Sequence, residues 1–316
     1  MTTLADLAEL VRAPAALSVP GDVVAGAAAA GALGPRTPAL AGASVLLYWA
    51  GMAANDWADR GLDAVERPER PIPSGRITPA AAVGLAAGLT AAGVGLAAAV
   101  GGRRAAALAV PLAATIWGYD LLAKNTAAGP AVMAACRGLD VLLGASGGRV
   151  TRALPAAVTV AAHTWTVTAL SRREVSGADA ALPMRTLAGT ALVAASAALP
   201  HTRRAAASAA DRSGATARGP ADEVGGRAGR TRSAGVAAVL PAVLAGWYAV
   251  RYGAAQVEVI RDPSAGRVRA AVGAGITGLP ALQGALTARG GAGLLGLAVA
   301  AAAPLGRRLA RKVSPT

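Results

Sequence analysis

Long uncharged stretches of alanine, valine, leucine and glycine recur along the chain and limit the folds open to it. Several run for about 17 to 20 residues, long enough to cross a ~30 Å hydrocarbon layer as a helix. Backbone polar groups in lipid must be satisfied within the element, and the alternating pattern of a β-barrel is absent. The sequence therefore predicts an all-α integral membrane protein. We place apolar segments at 19–33, 37–57, 79–99, 104–122, 128–146, 153–170, 184–200, 233–250, 268–286 and 291–306.

The number of crossings predicted is nine or ten, because the first segment is short and Pro280 interrupts the ninth. Residues are 54% hydrophobic and only 15% charged, too apolar for an ordinary soluble domain. The net charge of +14 usually raises nucleic acid as a partner. Here the arginines lie mostly between the apolar segments, which favours the lipid bilayer as partner and no nucleic acid. The single cysteine, Cys136, excludes an internal disulfide, and the N-terminus has no basic region typical of a cleavable signal peptide.

Basic residues in the connections predict the orientation. With a cytoplasmic N-terminus and ten alternating helices, 17 basic residues lie inside and 13 outside, and seven of the latter fall within 201–232. That connection is rich in Gly, Ala, Ser and Arg without an apolar period, which predicts a flexible loop. When that connection is left out, basic residues are clearly more numerous inside than outside. This bias predicts a multi-pass protein of the cytoplasmic membrane.

One charged stretch stands out, "NDWADRGLDAVERPERPIPSGRI" at 55–77. On a helix, Asn55, Asp56, Asp59 and Asp63 share one arc of about 100°. Carboxylates clustered at a membrane helix end repel one another unless a divalent cation joins them, and oxygen ligands favour Mg²⁺. The alternative is a solvated helix end held by salt bridges.

Basic residues and prolines follow the acids. Mg²⁺ is commonly shared with phosphate groups of a substrate, and Arg67, Arg70 and Arg76 are candidates to contact those phosphates. The intervening prolines would stiffen the loop that carries them.

The order N-D-x-x-D-x-x-x-D followed by R-P-x-x-x-G-R-I resembles the first aspartate-rich motif of the UbiA superfamily of intramembrane prenyltransferases. The resemblance implies a single domain over 1–316, with this motif and its loop at 48–77 and a central cavity in the helical bundle. It implies catalytic roles for Asp56, Asp59 and Asp63, which with Asn55 would hold Mg²⁺ and an isoprenyl diphosphate. The prenyl group would pass to an acceptor, with the site open to the cytoplasmic side.

A second stretch, 119–146, resembles the connection between the family's fourth and fifth helices. Lys124 matches its cationic position near the diphosphate, and Tyr119 leads into it. "CRGLD", with Arg137 and Asp140, resembles the C-R-x-L-N segment of an actinobacterial and cyanobacterial (EboC-like) branch, which implies a bacterial protein. Charges inside membrane helices are costly and suggest function. Arg137 either binds substrate or pairs with Asp140 to close the bundle.

The chain departs from the family at 171–180, where a second D-x-x-x-D motif is usual. "LSRREVSGADA" places Arg172 and Arg173 there, with Glu174 and Asp179 as the remaining acids. Because arginine neutralises a diphosphate directly, the pair predicts substrate binding with one metal site instead of two. A positive-inside anchor explains the arginines equally well.

The chain has no phenylalanine, so tryptophan and tyrosine supply its aromatic rings. Trp57, Trp117 and Trp165 are candidates to stabilise a prenyl cation, or equally to form an interfacial belt. The belt is the expectation for the tyrosines Tyr48, Tyr248 and Tyr252. His163, inside a predicted helix, is expected to be hydrogen-bonded within the bundle, although it could also take a proton from an acceptor.

Three functions remain open on the sequence alone. One is a Mg²⁺-dependent enzyme that ionises an isoprenyl diphosphate and transfers the prenyl group to an aromatic or other lipophilic acceptor. Another is a membrane terpene cyclase in which the prenyl chain attacks itself without an external acceptor. A transporter also places charges in a helical bundle, but it does not explain the order of acids and arginines in the motif.

Overall fold

The computed structural model describes residues 2–13, 18–179, 181–199 and 227–302, and in the last range it describes side chains from residue 238. The described residues form helices and no strands, in agreement with the predicted all-α class. The helices are α1 Leu4–Leu10, α2 Pro20–Ala30, α3 Thr37–Glu66, α4 Pro79–Gly118, α5 Gly129–Gly144, α6 Val150–Ser171, α7 Ala181–Ala198, α8 Arg227–Arg261, α9 Ala265–Arg289 and α10 Gly293–Ala302.

The ten predicted apolar segments coincide with α2 to α10, since α4 contains two of them. Gly102 separates these two with a φ of 64° and a ψ of −158°, a conformation open to glycine. The chain folds back there, as a contact between the two segments shows: the Trp117 indole donates a hydrogen bond of 3.1 Å to Thr90, 27 residues earlier. The 40-residue helix is therefore a hairpin of two segments.

One expectation about an individual segment is wrong, and another falls mostly outside the described residues. Pro280 does not interrupt the ninth apolar segment, because α9 continues through it from Ala265 to Arg289. Most of the predicted flexible connection 201–232 lies outside the described residues, but its last six residues, 227–232, belong to α8.

Among the described residues, three helices are long and apolar enough to cross a membrane by length and composition. They are Thr37–Glu66, the α4 hairpin extended to Ala123, and Val150–Ser171. The number of crossings, nine or ten, stays a prediction.

Two helices, α2 and α5, join the two halves of the bundle. One hydrophobic cluster is built mainly by α3 and α4, another mainly by α6 to α9, and α2 and α5 contribute to both. These two helices touch backbone to backbone: a Cβ atom built on Gly26 would lie 1.7 Å from the Val141 carbonyl oxygen, and one on Gly144 would lie 2.0 Å from that of Val23. Small residues permit such close packing in lipid.

Candidate active site

The acidic motif lies on the last turns of α3, and each of its aspartates meets a basic side chain. Arg12 contacts the Asp56 carboxylate at 2.6 Å. Arg70, from the loop after α3, lies 3.3 Å from Asp56 and 2.7 Å from Asp63, so one guanidinium joins the two acids. Because Asp56 and Asp63 are buried, these partners offset charges that have little access to water.

The connection after α4 supplies the rest of the site. Residues Tyr119–Ala123 form a π-helical turn, a form common at functional sites. Just beyond it, Lys124 contacts Asp59 at 2.5 Å, and within it Asp120 accepts a hydrogen bond of 3.1 Å from Asn55. The structure thus brings Lys124 and the acidic motif together, while the contact of Lys124 with a diphosphate stays a prediction.

The N-terminal segment packs against the loop that follows α3 and is held there by ion pairs. Thr3 and Asp6 form a reciprocal capping box at the start of α1, and Arg76 contacts Asp6 and Glu9, each at 2.7 Å. Hydrogen bonds from Thr3 and from Arg76 lower the pKa of Asp6 to about 2. Arg76, a candidate phosphate ligand by sequence, therefore anchors α1 in this structure.

At the end of α1 the backbone turns sharply at Arg12, whose φ is 45°. Positive φ is unfavourable for residues other than glycine. The turn directs the guanidinium onto Asp56, on a helix 44 residues later.

A cavity of about 460 Å³ opens beside these residues. We call the end that carries Arg12, Tyr119 and Ser171 its mouth, and the end that carries Arg137 and His163 its inner end. Between the two, the wall is mainly apolar, with Val19, Met52, Met133, Val167, Val272, Ile276 and Leu279. Successive turns of α6 line the wall from Ser171 to His163, eight residues or about 12 Å along a helix. The space suits a hydrocarbon chain whose polar group stays at the mouth.

Arg137 does not pair with Asp140, so the expectation of a mutual pair is wrong. Its Nε lies 2.7 Å from Asp22 of α2, and its Nη2 donates to the Ser18 carbonyl at 3.3 Å. Asp140 instead accepts a hydrogen bond from Ser44. The close approach of α2 and α5 at Gly26 explains why Arg137 reaches across to another helix.

The residues of the altered second motif have different positions and contacts. The Arg172 guanidinium donates to the Thr126 carbonyl, in the loop that carries Lys124, and so lies near the mouth. Arg173 is exposed. Asp179 accepts a hydrogen bond of 2.8 Å from the Leu182 amide, which places it as a cap on the first turn of α7.

The three candidate tryptophans lie off the cavity wall. Trp57 and Trp117 pack beneath α1 against a cluster that includes Leu10 and Ile77, and the Trp165 side chain is 40% exposed.

The expectation of an interfacial belt is wrong for the three tyrosines, because Tyr48, Tyr248 and Tyr252 are all buried. Tyr248 and Tyr252 find hydrogen-bond partners inside the bundle, His163 and Thr166. Tyr48 and Tyr119 line the cavity.

The donors at the mouth suit a hard cation chemically, since Asn55, Asp56, Asp59 and Asp63 offer only oxygen ligands. In the described part of the chain, however, no three acidic, histidine or cysteine side chains are gathered closely enough to hold a metal ion. Asp59 faces Lys124 while Asp56 and Asp63 share Arg70. A metal ion bound here would therefore exchange places with basic side chains.

Two charged residues were not found from the sequence: Arg12, which lines the cavity, and Asp22, which pairs with the lining residue Arg137. Arg12 carried no signal, because its contact with Asp56 depends on folding across 44 residues. Asp22 did carry one: it is the only charged residue in the apolar segment 19–33, and a charge there suggests function by default.

Comparison with known proteins identifies the family of this chain. Residues 18–208 match the model of the UbiA prenyltransferase family. Curated relatives named digeranylgeranylglyceryl phosphate synthase include those of Methanothrix thermoacetophila, 57% identical over 49 residues, and Methanopyrus kandleri, 42% identical over 76 residues. These matches cover 15% and 24% of this chain, and 18% and 28% of the relatives. The chain thus aligns with less than a third of either relative's length.

Two solved structures share the fold. One, described as giving insights into the biosynthesis of digeranylgeranylglyceryl phosphate synthase in membranes, has a TM-score of 0.63 at 14% identity and covers 90% of this chain and 97% of its own. The other, an apo UbiA homologue from Aeropyrum pernix K1, has a TM-score of 0.56 at 19% identity and covers 89% and 96%. The fold is that of a membrane protein, and since the family match spans more than half of the sequence, this chain belongs to the UbiA prenyltransferase family.

Proposed function

We propose that this protein is a Mg²⁺-dependent enzyme that ionises an isoprenyl diphosphate and transfers the prenyl group to a lipophilic acceptor. The observation that carries the proposal is the junction of two environments. Three aspartates paired with Arg12, Arg70 and Lys124 stand at the mouth of a mainly apolar cavity. A molecule that joins an anionic head to a hydrocarbon tail meets both.

The basic side chains at the mouth would bind the leaving group. When the bond between the first prenyl carbon and its oxygen breaks, the electron pair leaves with the diphosphate. Arg12, Arg70 and Lys124, with Arg172 beside them, offset the charge that develops there. Mg²⁺ held by Asp56, Asp59 and Asp63, with Asn55 as a further ligand or support, would supply additional positive charge.

The relatives suggest one acceptor to test first. Their name denotes the synthesis of digeranylgeranylglyceryl phosphate, which a prenyl transfer to a geranylgeranylglyceryl phosphate would form. Aromatic compounds are further candidates for the acceptor. A terpene cyclase that uses no acceptor is the alternative, and analysis of products without added acceptor separates the two.

The placement in a cell rests on the charge bias of the sequence. We propose a multi-pass protein of a bacterial cytoplasmic membrane with the mouth open to the cytoplasm. The test uses a Cys136→Ser variant that carries one new cysteine, at position 69 in the exposed loop. This cysteine is labelled in intact cells. Modification by an impermeant reagent before lysis would contradict the cytoplasmic side.

The decisive experiment incubates the purified protein with C10, C15 and C20 prenyl diphosphates and Mg²⁺, each with and without geranylgeranylglyceryl phosphate or 4-hydroxybenzoate. Mass spectrometry identifies the products, and diphosphate release is measured in parallel. We expect diphosphate release and a prenylated acceptor, both lost in Asp59→Asn. No diphosphate release by the wild type with any of the three substrates would refute the proposal.

A further inference from the structure

Asp120 is a buried carboxylate beside the mouth that takes no part in the proposed binding of metal or diphosphate. It is the one acidic residue of the apolar segment 104–122, and it is 5% exposed. An ionisable group inside a membrane segment is costly and suggests function by default. Asp120 lies in the π-helical turn that also carries Tyr119, a residue of the cavity wall. Its contacts therefore decide what it does.

The turn and the residue after it meet α3 in two matching contacts. Asp120 accepts a hydrogen bond of 3.1 Å from Asn55, and Lys124 contacts Asp59 at 2.5 Å. The partners are four residues apart on each side, so the two contacts lie about one helical turn from each other. One turn earlier, a Cβ atom built on Gly51 would lie 3.6 Å from Asp120 Oδ2. Asp120 thus packs closely against α3.

Asn55 differs from the three aspartates of the motif. Each aspartate is engaged by a basic side chain, whereas Asn55 contacts none among the described residues, and its Oδ1 accepts no hydrogen bond from them. An amide donates through its NH₂ group and accepts through its oxygen, while an ionised carboxylate can only accept. Asp120 therefore holds the NH₂ group of Asn55 and leaves Oδ1 free, in a fixed orientation.

A free oxygen fixed in this way resembles a metal ligand in its surroundings. Ligands of metal sites are commonly oriented by hydrogen bonds from outer partners, and hard cations accept side-chain amide oxygens together with carboxylates. A cation that binds the aspartates must displace Arg12, Arg70 or Lys124. It could take Oδ1 of Asn55 without breaking any contact, because the hydrogen bond to Asp120 uses the other end of the amide.

We propose that Asp120 is a positioning residue, which orients the Asn55 amide so that Oδ1 is a ligand of the divalent cation at the mouth. The inference rests on the proposed function, in which the aspartates hold this cation together with the diphosphate. Asp120 touches neither the cation nor the prenyl diphosphate and acts through Asn55.

The test measures binding of Mn²⁺, which prefers the same oxygen ligands as Mg²⁺. The full-length protein is titrated with Mn²⁺ at saturating inorganic pyrophosphate, and free Mn²⁺ is followed by paramagnetic resonance. The variants are Asp120→Asn, which no longer selects one end of the Asn55 amide, Asp120→Leu, which removes the hydrogen bond altogether, Asn55→Ala, and Asn55→Ala combined with each Asp120 substitution. Asp262→Asn is the control, because it removes an acid from an exposed position between α8 and α9.

We expect the dissociation constant for Mn²⁺ to rise about 10- to 100-fold in both Asp120 variants, the usual effect of losing an outer partner of a metal ligand. Asn55→Ala should have a similar effect, and adding an Asp120 substitution to it should change nothing more, because both act through one ligand. In turnover assays, the Mg²⁺ concentration for half-maximal rate should rise by the same factor, while kcat at saturating Mg²⁺ stays close to that of the wild type. A merely structural role would lower kcat as well.

Unchanged Mn²⁺ affinity in either Asp120 variant would overturn the proposal, and so would a further loss when an Asp120 substitution is added to Asn55→Ala. Absence of Mn²⁺ binding by the wild type would overturn it together with the metal role of the aspartates. If the Mn²⁺ results are as expected but no prenyl diphosphate is cleaved, the proposed function is refuted and the role of Asp120 at the metal site stands.

Discussion

At the scale of single residues, the site is a set of carboxylates each matched by a cation from a different part of the chain. Arg12 comes from the end of α1, Arg70 from the loop after α3, and Lys124 from the connection after α4. The sequence indicated the acids and two of these cations, because the motif keeps them in a fixed order. The sequence did not indicate Arg12, because no local pattern links a residue to a partner on another helix.

Arg12→Gln should weaken inhibition by inorganic pyrophosphate about ten- to a hundredfold, since a charge-assisted contact to phosphate contributes roughly 1.5–3 kcal/mol. Arg60→Gln is the matched control. It also removes one positive charge, near the end of α3 that Arg12 contacts, but Arg60 is exposed and contacts the Trp57 ring and carbonyl. Equal effects of the two substitutions would show a general loss of positive charge and would remove Arg12 from the site.

Trp165→Leu should leave turnover within about twofold of the wild type, as for most surface substitutions, because the Trp165 side chain faces outward at 40% exposure. Tyr48→Leu should lower turnover, because Tyr48 lines the cavity and its ring packs against the Arg137 guanidinium, 5.4 Å from the ring centroid. Product formation under saturating substrate is the measurement. A larger loss in Trp165→Leu than in Tyr48→Leu would reverse this assignment of the aromatic wall.

At the scale of helices, the sequence predicted which segments form helices better than where they end or which helices they contact. Apolar runs reveal the part of a helix that lies in lipid, so α2 to α10 were found, but α3 and α8 extend beyond their apolar runs, to Glu66 and Arg261. Which helices touch depends on the shape of their surfaces. The contact of α2 with α5 depends on Gly26 and Gly144, two of the 40 glycines in the chain. Arg137 pairs with Asp22, 115 residues earlier, as a result of that contact.

Gly26→Ala should destabilise the protein by about 1–3 kcal/mol, as overpacking does elsewhere, because the new methyl group would meet the Val141 carbonyl. Gly84→Ala adds the same methyl group to α4, where nothing lies within 4 Å, and should be neutral or stabilising by roughly 0.5–1 kcal/mol. Thermal unfolding of both variants in one detergent compares them. Equal stability of the two would show that α2 and α5 are not in tight contact.

The attachment of α1 should depend on pH through Asp6. Its folded pKa, lowered to about 2, lies below the ordinary value of 3.8. A lowered acid contributes stability that is complete above its unfolded pKa and is lost as pH falls through the folded value. Protection of residues 4–10 from hydrogen exchange, corrected for intrinsic rates, should therefore fall between about pH 4 and 2. In Asp6→Asn this pH dependence should shrink, and an unchanged profile would assign it to other groups.

At the scale of the whole molecule, the cavity joins the two halves of the bundle and takes its wall from α3, α5, α6, α9 and the two residues just before α2. Two polar ends and an apolar middle arise from residues far apart in sequence, which explains why composition predicted a membrane bundle but not the contents of its interior. The second half supplies Ser171 and Arg172 at the mouth, in place of a second group of aspartates.

We predict that the protein binds one Mg²⁺ in the presence of a prenyl diphosphate analogue, because Arg172 stands near the mouth while Asp179 caps α7. Arginine stays protonated at any working pH and offsets phosphate charge without metal. Counting bound Mn²⁺ by paramagnetic resonance gives the stoichiometry, and removal of Mg²⁺ with EDTA should abolish turnover. Two ions, one lost in Glu174→Gln, would contradict the single site.

The ion pairs at the mouth have a consequence for the order in which ligands arrive. A bare divalent ion approaching Asp56 and Asp63 must displace Arg12 and Arg70, which then lack a counter-charge. An anion that arrives with the ion gives both guanidinium groups a new partner. Metal and diphosphate should therefore show positive heterotropic cooperativity, each raising the equilibrium affinity for the other by the same factor. Calorimetric titration of either one, with and without the other, would reveal a protein that barely recognises its two ligands separately and retains them as a complex.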